Sequence, residues 1–225
     1  MFADTPANPP ADPSARPAWL DRLSGRFIVF DGPDGSGKST QFTRFAARCR
    51  THGLTVCEVR EPGGTSIGEQ IRAVLLDPAN GEISLRCEMM LYMASRAQLL
   101  EQSIRPALAR GELVLADRFI SSTLAYQGTA GGMSPEEILA VGRVATGGYW
   151  PDLTVIFDVD PDIAHGRLDD ERDRIEQKSG AFHRRVRQGF LAQAQAQPDR
   201  YRVIDAAAAV AEVEGRLVEA LMAWA

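Results

Sequence analysis

Eight consecutive residues, Gly32-Pro33-Asp34-Gly35-Ser36-Gly37-Lys38-Ser39, satisfy G-x-x-x-x-G-K-[ST] at every fixed position, and Thr40 follows them. This spacing serves phosphate chemistry. Its glycines let backbone N–H groups converge on phosphate oxygens, and a following helix N-terminus adds free donors and a positive dipole. Lys38 carries a full charge for the β- and γ-phosphates, and the Ser39 hydroxyl is a ligand for Mg²⁺. Arginines supply a second element. Arg60 and Arg118 each stand where an apolar run ends, and Asp117-Arg118 directly follows Leu113-Val114-Leu115-Ala116. A single such arginine reads as a surface ion pair; two of them beside a phosphate loop suit the clamping of a second phosphate. Further arginines, Arg167, Arg172, Arg174, Arg184, Arg185 and Arg187, lie among Asp169, Asp170, Glu171, Asp173 and Glu176. They read either as a solvated face of mixed charge or as a lid closing over a triphosphate.

Positioning such residues takes alternating strands and helices. Short apolar runs predict strands over Phe27–Asp31, Thr55–Val59, Leu113–Asp117, Leu153–Asp158 and Tyr201–Ile204. They are too short and too apolar for anything but buried strands. Phe42, Phe45, Ala46 and Cys49 recur at helical spacing after the loop, within a helix over Gly37–Thr51. Further helices are predicted over Ile67–Leu76, Leu85–Leu108, Ser121–Tyr126, Pro135–Ala145, Pro161–Leu168, Gly180–Gln195 and Ala209–Trp224. Ser134-Pro135-Glu136-Glu137 and Ser66-Ile67-Gly68-Glu69 read as helix N-caps with an acid at the third helical position. Pro106 should kink or divide its helix. The class is α/β: a five-stranded parallel sheet with helices on both faces, and ligands at the carboxyl ends of its strands.

The chain has 225 residues, 44% of them hydrophobic, enough for one domain with a substantial core. Residues 1–22 read as a disordered Pro/Ala-rich extension, with Trp19 and Leu20 near its junction, and residues 23–225 as one domain. Residues 1–18 have neither the apolar core of a signal peptide nor the Arg-rich balance of a transit peptide, and no run approaches a membrane span. The formal charge of −5 argues against nucleic acid and anionic membrane as partners, while leaving room for small anions held by local arginines. The cysteines, Cys49, Cys57 and Cys87, are odd in number and dispersed, as expected of reduced thiols in a cytoplasmic protein.

Several segments together resemble the bacterial thymidylate kinases. They are Phe30–Thr40, Arg60-Glu61-Pro62-Gly63-Gly64-Thr65, Asp117-Arg118-Phe119-Ile120-Ser121-Ser122-Thr123-Leu124-Ala125-Tyr126-Gln127-Gly128, Tyr149–Thr154 and Asp173-Arg174-Ile175-Glu176. The resemblance runs from about Arg26 to the C-terminus, and its specific part is Asp-Arg-Phe through Ala-Tyr-Gln. It implies the fold of a P-loop nucleoside monophosphate kinase, and transfer of the γ-phosphate of ATP to dTMP, giving ADP and dTDP for dTTP biosynthesis. It further implies Mg²⁺ as cofactor and a homodimer. By position it assigns Gly32 to Thr40 to ATP, with Lys38 on the phosphates and Ser39 and Asp34 near the metal. Asp34 also falls near the acceptor sugar. Arg118 falls on the dTMP phosphate, Arg96 on the thymine edge and Tyr92 on the base face. Glu61, Arg72, Ser122, Thr123, Tyr126 and Gln127 fall on the remaining acceptor positions, where Tyr126 disfavours a ribose 2′-hydroxyl.

Some residues depart from the family pattern. Asp31 stands where Glu is more usual, and Tyr92 replaces a more usual Phe. Gly35 stands where one branch carries an arginine, which implies the branch that draws it from the lid. The lid is expected at about 166–180, two residues or so shorter than usual, with Arg172, then Arg167, as the arginine acting in transfer. The alternatives are a kinase of another nucleoside monophosphate or a deoxynucleoside, and a P-loop regulatory ATPase. The lack of an Asn-Lys-x-Asp and the second-site arginines count against a switch.

Overall fold

The chain is described here by a computed structural model covering residues 17–167 and 173–225. The expectations for residues 1–16 and for Arg172 fall outside the described residues. Five strands, β1 (Phe27–Asp31), β2 (Val56–Arg60), β3 (Leu113–Asp117), β4 (Leu153–Asp158) and β5 (Tyr201–Asp205), form one sheet in the order β2-β3-β1-β4-β5. Every pairing is parallel. β2 and β5 each end one residue later than the apolar runs suggest, because Arg60 and Asp205 still pair with Asp117 and Asp158.

β1 is buried at all five positions because helices cover both faces of the sheet. Side chains alternate along a strand. Ile28 and Phe30 therefore join Phe42 and Phe45 of α2 (Lys38–Thr51) and Leu217 of α10 (Val210–Trp224). Phe27 and Val29 face the opposite way, onto Met89, Met93 and Leu99 of α4 (Leu85–Leu99) and onto Phe119. Phe30 lies within 6.0 Å, centroid to centroid, of Phe42, Phe45 and Phe157. Truncating such a ring to Ala costs about 3–5 kcal/mol.

The domain begins earlier than residue 23. Ala18–Asp21 forms a short helix, α1, that buries Trp19 and Leu20 in the same cluster as Phe30. Each large apolar side chain so buried contributes roughly 1.5–3 kcal/mol, which holds this stretch to the domain.

Other differences are local. The cap of α3 (Ser66–Leu76) is Thr65, one residue before the expected Ser66, since the Thr65 hydroxyl accepts from Gly68 N at 2.9 Å. Ser134 caps α7 (Pro135–Thr146) as expected, accepting from Glu137 N. The helix expected over Leu85–Leu108 divides before Pro106: α4 ends at Leu99, a wider π-helical turn spans Leu100–Ile104, and α5 covers Arg105–Ala109 with Pro106 in its first turn. The expected Ser121–Tyr126 helix is α6 (Ile120–Thr123) running into a second π-helical stretch, Leu124–Ala130. Wide turns of this kind often accompany functional sites. α8 is Pro161–His165, shorter than expected, and α9 is Gly180–Ala196.

α9 clamps the segment carrying the Asp-Arg-Phe motif. Gln193 Nε2 donates to Ser121 O at 3.1 Å, and Arg185 donates to Ala130 O. Between them Gly189 allows close contact: a Cβ there would lie 2.8 Å from Thr129 Oγ1 and 3.1 Å from Ala125 Cα.

Candidate active site

Two cavities open at the carboxyl ends of the strands. The first encloses about 420 Å³ and is lined by residues of β2, α3, α4, the Asp117–Gln127 segment and Asp173, Ile175 and Glu176. The second encloses about 570 Å³ between the phosphate loop and the β5–α10 connection. Asp34, Lys38, Ser39, Arg118 and Glu176 line both.

The loop owes its form to its glycines. Gly37 caps α2 in the left-handed region, with φ 78°. Gly35 has φ 74°, and a Cβ on it would lie 2.3 Å from Ala164 O of α8. No side chain fits there, so the absence of a loop arginine is enforced by the neighbouring backbone. Pro33 to Thr40 line the second cavity, whereas Gly32 sits deeper, against Phe157 O.

Asp31 is the hub beneath the loop. It is fully buried, and its carboxylate accepts from Gly32 N at 2.9 Å, Ser121 Oγ at 2.6 Å, Ser122 Oγ at 2.7 Å and Arg118 Nη1 at 3.2 Å. The shorter acid thus ties the loop to the Asp-Arg-Phe segment.

Arg118 adopts φ 69°, a left-handed conformation rare outside glycine. Its Nη1 also donates to Gly32 O at 3.0 Å and Ser122 Oγ at 2.9 Å, while its Nη2 is paired with Asp34. The guanidinium lies 5.3 Å from the centre of the Tyr126 ring, and Tyr126 OH donates to Asp34 Oδ2 at 2.7 Å. Burial pushes the Asp34 carboxyl up, but Arg118, the Tyr126 hydroxyl, Lys38 and His183 outweigh it and hold it below the usual range. Burial raises Tyr126 well above the ordinary phenol range. Lys38, 6% exposed, pairs with Asp117.

Of the expected acceptor residues, Glu61, Arg72, Tyr92, Arg118, Ser122, Thr123, Tyr126 and Gln127 line the first cavity. Arg72 is fixed by Pro62 O at 3.0 Å. Arg60 lines it too, held by Glu69 at 2.9 Å. Arg96 is the exception. It is 1% exposed and lies behind the wall, its Nε on Glu61 Oε2 at 2.8 Å, its Nη2 on Thr123 Oγ1 at 3.2 Å and its ring partner Phe119 at 5.0 Å. The expected Tyr92/Arg96 pair on one base is thus Tyr92 at the surface and Arg96 beneath. Burial pushes the Glu61 carboxyl up to about 7 despite Arg96. Burial likewise raises Tyr92, and Glu88 adds to it.

Among the lid arginines, Arg167 lines the second cavity and donates to Ala206 O and Ala207 O, each at 3.1 Å. Arg174 is buried elsewhere: its Nε donates to Leu75 O at 2.7 Å and its Nη2 to Glu88 Oε2 at 2.5 Å. Asp173 Oδ1 accepts from Glu176 N at 2.9 Å while Glu176 Oε2 accepts from Asp173 N at 3.1 Å, a reciprocal cap that shapes the adjacent wall.

A family model described as thymidylate kinase matches residues 30–217. The chain belongs to the thymidylate kinase family. Curated relatives agree with the family match. A thymidylate kinase of Pseudomonas putida is 46% identical over 206 residues, covering 89% of this chain and 96% of the relative. One of Deinococcus radiodurans is 48% identical, covering 86% and 94% respectively. One of Bifidobacterium longum is 44% identical, covering 85% and 94%. The family's fold is that of the P-loop nucleoside monophosphate kinases, and the all-parallel sheet described above has it.

Glu88 is the residue that sequence reasoning missed, and Asp31 figures there only as a departure from the family pattern, without its bonding role. Neither shows a motif of its own; each is recognisable only once residues distant in sequence are brought to it.

Proposed function

We propose that the first cavity holds dTMP and the second holds ATP, so that their phosphates meet over Asp34, Lys38, Ser39 and Arg118. The reaction is that of the family: ATP and dTMP give ADP and dTDP. The observation that carries the assignment is the sharing of these residues by two cavities at one end of the sheet.

An oxygen of the dTMP phosphate attacks the γ-phosphorus, and the bond to the bridging oxygen of ADP breaks. The attacking oxygen is already ionised, so no base is needed. Catalysis rests on alignment and on cations spread around the moving group. Lys38 and Arg118 supply two of them; Arg172 is our choice for a third. Tyr92 stacks on the base, Arg72 and Gln127 contact it or its phosphate, and the Tyr126–Asp34 pair closes the side where a 2′-hydroxyl would stand. Arg96 acts by holding Glu61 and Thr123 in place.

Mg²⁺ fits this site. Ser39 and Asp34 offer oxygen ligands beside the phosphates, the hard donors such an ion takes. Among the described residues no group of three or more His, Cys, Asp or Glu could hold a metal, in keeping with an ion that relies on substrate phosphates. Bound there, it would neutralise charge on the β- and γ-oxygens.

The protein works in the cytoplasm as a homodimer on this reading. The cysteines are free, and no helix among the described residues is long and apolar enough to cross a membrane. Ile67 and Val74 on α3 and Met90 on the adjoining α4 are exposed apolar residues that suit a partner; Ser121 and Tyr126 are buried and do not. Sedimentation tests the dimer. A coupled assay of ADP formation with dTMP, dUMP, dCMP, dGMP and AMP tests the activity. Preference for any acceptor but dTMP contradicts the assignment, and hydrolysis with no acceptor requirement favours a regulatory ATPase.

A further inference from the structure

Glu88 lies on α4, one helical turn before Tyr92, and is 2% exposed. Both carboxylate oxygens are engaged. Oε2 accepts from Arg174 Nη2 at 2.5 Å, and Oε1 accepts from Gln127 Nε2 at 2.7 Å. Arg174 is itself fixed, its Nε on Leu75 O and its backbone N on Leu76 O at 3.1 Å. Gln127 is also 2% exposed and lines the first cavity. Its side-chain oxygen has no hydrogen bond to any described residue, and it is not among the buried atoms shut away without a partner.

We propose that Glu88 sets the hydrogen-bond polarity of the acceptor cavity: it holds the Gln127 amide with its oxygen toward the base, so that the site selects a ring N–H. The proposal rests on the placement of dTMP in that cavity. A side-chain amide offers either two donors or an acceptor to its surroundings, depending on which way it is turned. A carboxylate paired with an arginine can only accept, so Gln127 must turn its NH₂ to Glu88. The cavity then receives Oε1. Thymine carries N–H at ring position 3 and complements that oxygen. Cytosine carries a bare nitrogen there, and two acceptors would face each other in a buried site, leaving both unsatisfied. Arg174, Glu88 and Gln127 thus form a relay in which a buried cation fixes an anion, and the anion fixes an amide. Glu88 is a positioning residue, since it touches the substrate only through Gln127.

The test compares kcat/KM for dTMP and dCMP at saturating ATP and Mg²⁺. The wild type must prefer dTMP; if it does not, the placement of the acceptor fails before any variant is made. Glu88→Gln can donate as well as accept, which frees the Gln127 amide to turn over. The preference for dTMP over dCMP should then fall at least tenfold, with KM for ATP within twofold of wild type. In a Gln127→Leu background, adding Glu88→Gln should change the preference less than twofold. An unchanged preference in Glu88→Gln, or an equal loss for both nucleotides, overturns the proposal. Breaking a buried ion pair can prevent folding, so a second measurement uses the wild type. In ¹⁵N-labelled protein the Gln127 side-chain amide protons should exchange at least tenfold more slowly than those of the exposed Gln195. Equal exchange rates overturn the proposal as well.

Discussion

Lys38 of the phosphate loop is paired with Asp117, the last residue of β3. The loop's cation rests on a carboxylate that the central sheet delivers, and on the proposed reading an incoming phosphate replaces that partner. Lys38→Met should lower kcat at least 100-fold, a loss of roughly 2.7 kcal/mol or more in transition-state stabilisation. ADP formation at saturating dTMP checks it. Retained turnover would remove Lys38 from the transfer step.

Arg118 combines a guanidinium that lines both cavities with a left-handed backbone of φ 69°. A non-glycine residue there costs about 1–2 kcal/mol. Both Arg118→Ala and Arg118→Gly should abolish useful turnover. Arg118→Gly should nonetheless be about 1 kcal/mol more stable than Arg118→Ala, as read from denaturant unfolding, because the two differ only in backbone freedom. Equal stabilities would show that the conformation is unstrained.

Gly189 lets α9 touch the Leu124–Ala130 stretch. In Gly189→Ala the new methyl would stand 3.1 Å from Ala125 Cα, a backbone atom that cannot turn aside. The strain should cost about 1–3 kcal/mol in thermal or chemical unfolding. Because Tyr126 and Gln127 ride on that stretch, KM for dTMP should rise severalfold while KM for ATP stays within twofold.

Arg167 and Arg172 should separate in kinetics. Arg167 holds the carbonyls of Ala206 and Ala207 beside the second cavity, so Arg167→Ala should raise KM for ATP, about tenfold if both bonds are lost. Arg172→Ala should lower turnover at least tenfold with little change in dTMP affinity. Near-normal turnover in the second variant removes that arginine from transfer.

Glu61 gives a signed pH dependence. Its ordinary value is 4.5, and burial in the folded protein raises it to about 7. Between those values the folded state binds more protons than the unfolded one, so this group's contribution is greatest below 4.5 and is lost as pH rises through 7. Glu61→Gln carries no such proton. From pH 5 to pH 8 the stability of the wild type relative to Glu61→Gln should fall, by on the order of 2 kcal/mol. A rise over that range would show that Arg96 outweighs burial.

The sheet and the phosphate loop were legible because both are local. Apolar runs of five or six residues and a fixed glycine spacing need no distant partner to be read. The π-helical stretches were not legible, since Leu100–Ile104 and Leu124–Ala130 carry ordinary helical spacing. Thr65 was passed over as a cap because Ser66 beside it offers the same hydroxyl. Arg96 was placed on the thymine edge by the family resemblance, with Tyr92 one helical turn away, and neither the resemblance nor the spacing says which of the two is covered. Glu88 drew no reading from the sequence. Its role depends on Arg174, 86 residues away, and on Gln127, 39 away, and neither pairing leaves a mark in the local pattern.

Five residues line both cavities, so the two adjoin across no more than these side chains. One molecule carrying adenosine and thymidine at opposite ends of a polyphosphate chain could therefore occupy both at once. Its second end would bind within the same complex, at the high effective concentration a short tether gives. Such a bridged dinucleotide should bind more tightly than either substrate alone, and its optimal number of phosphates would measure the span between the two nucleoside seats.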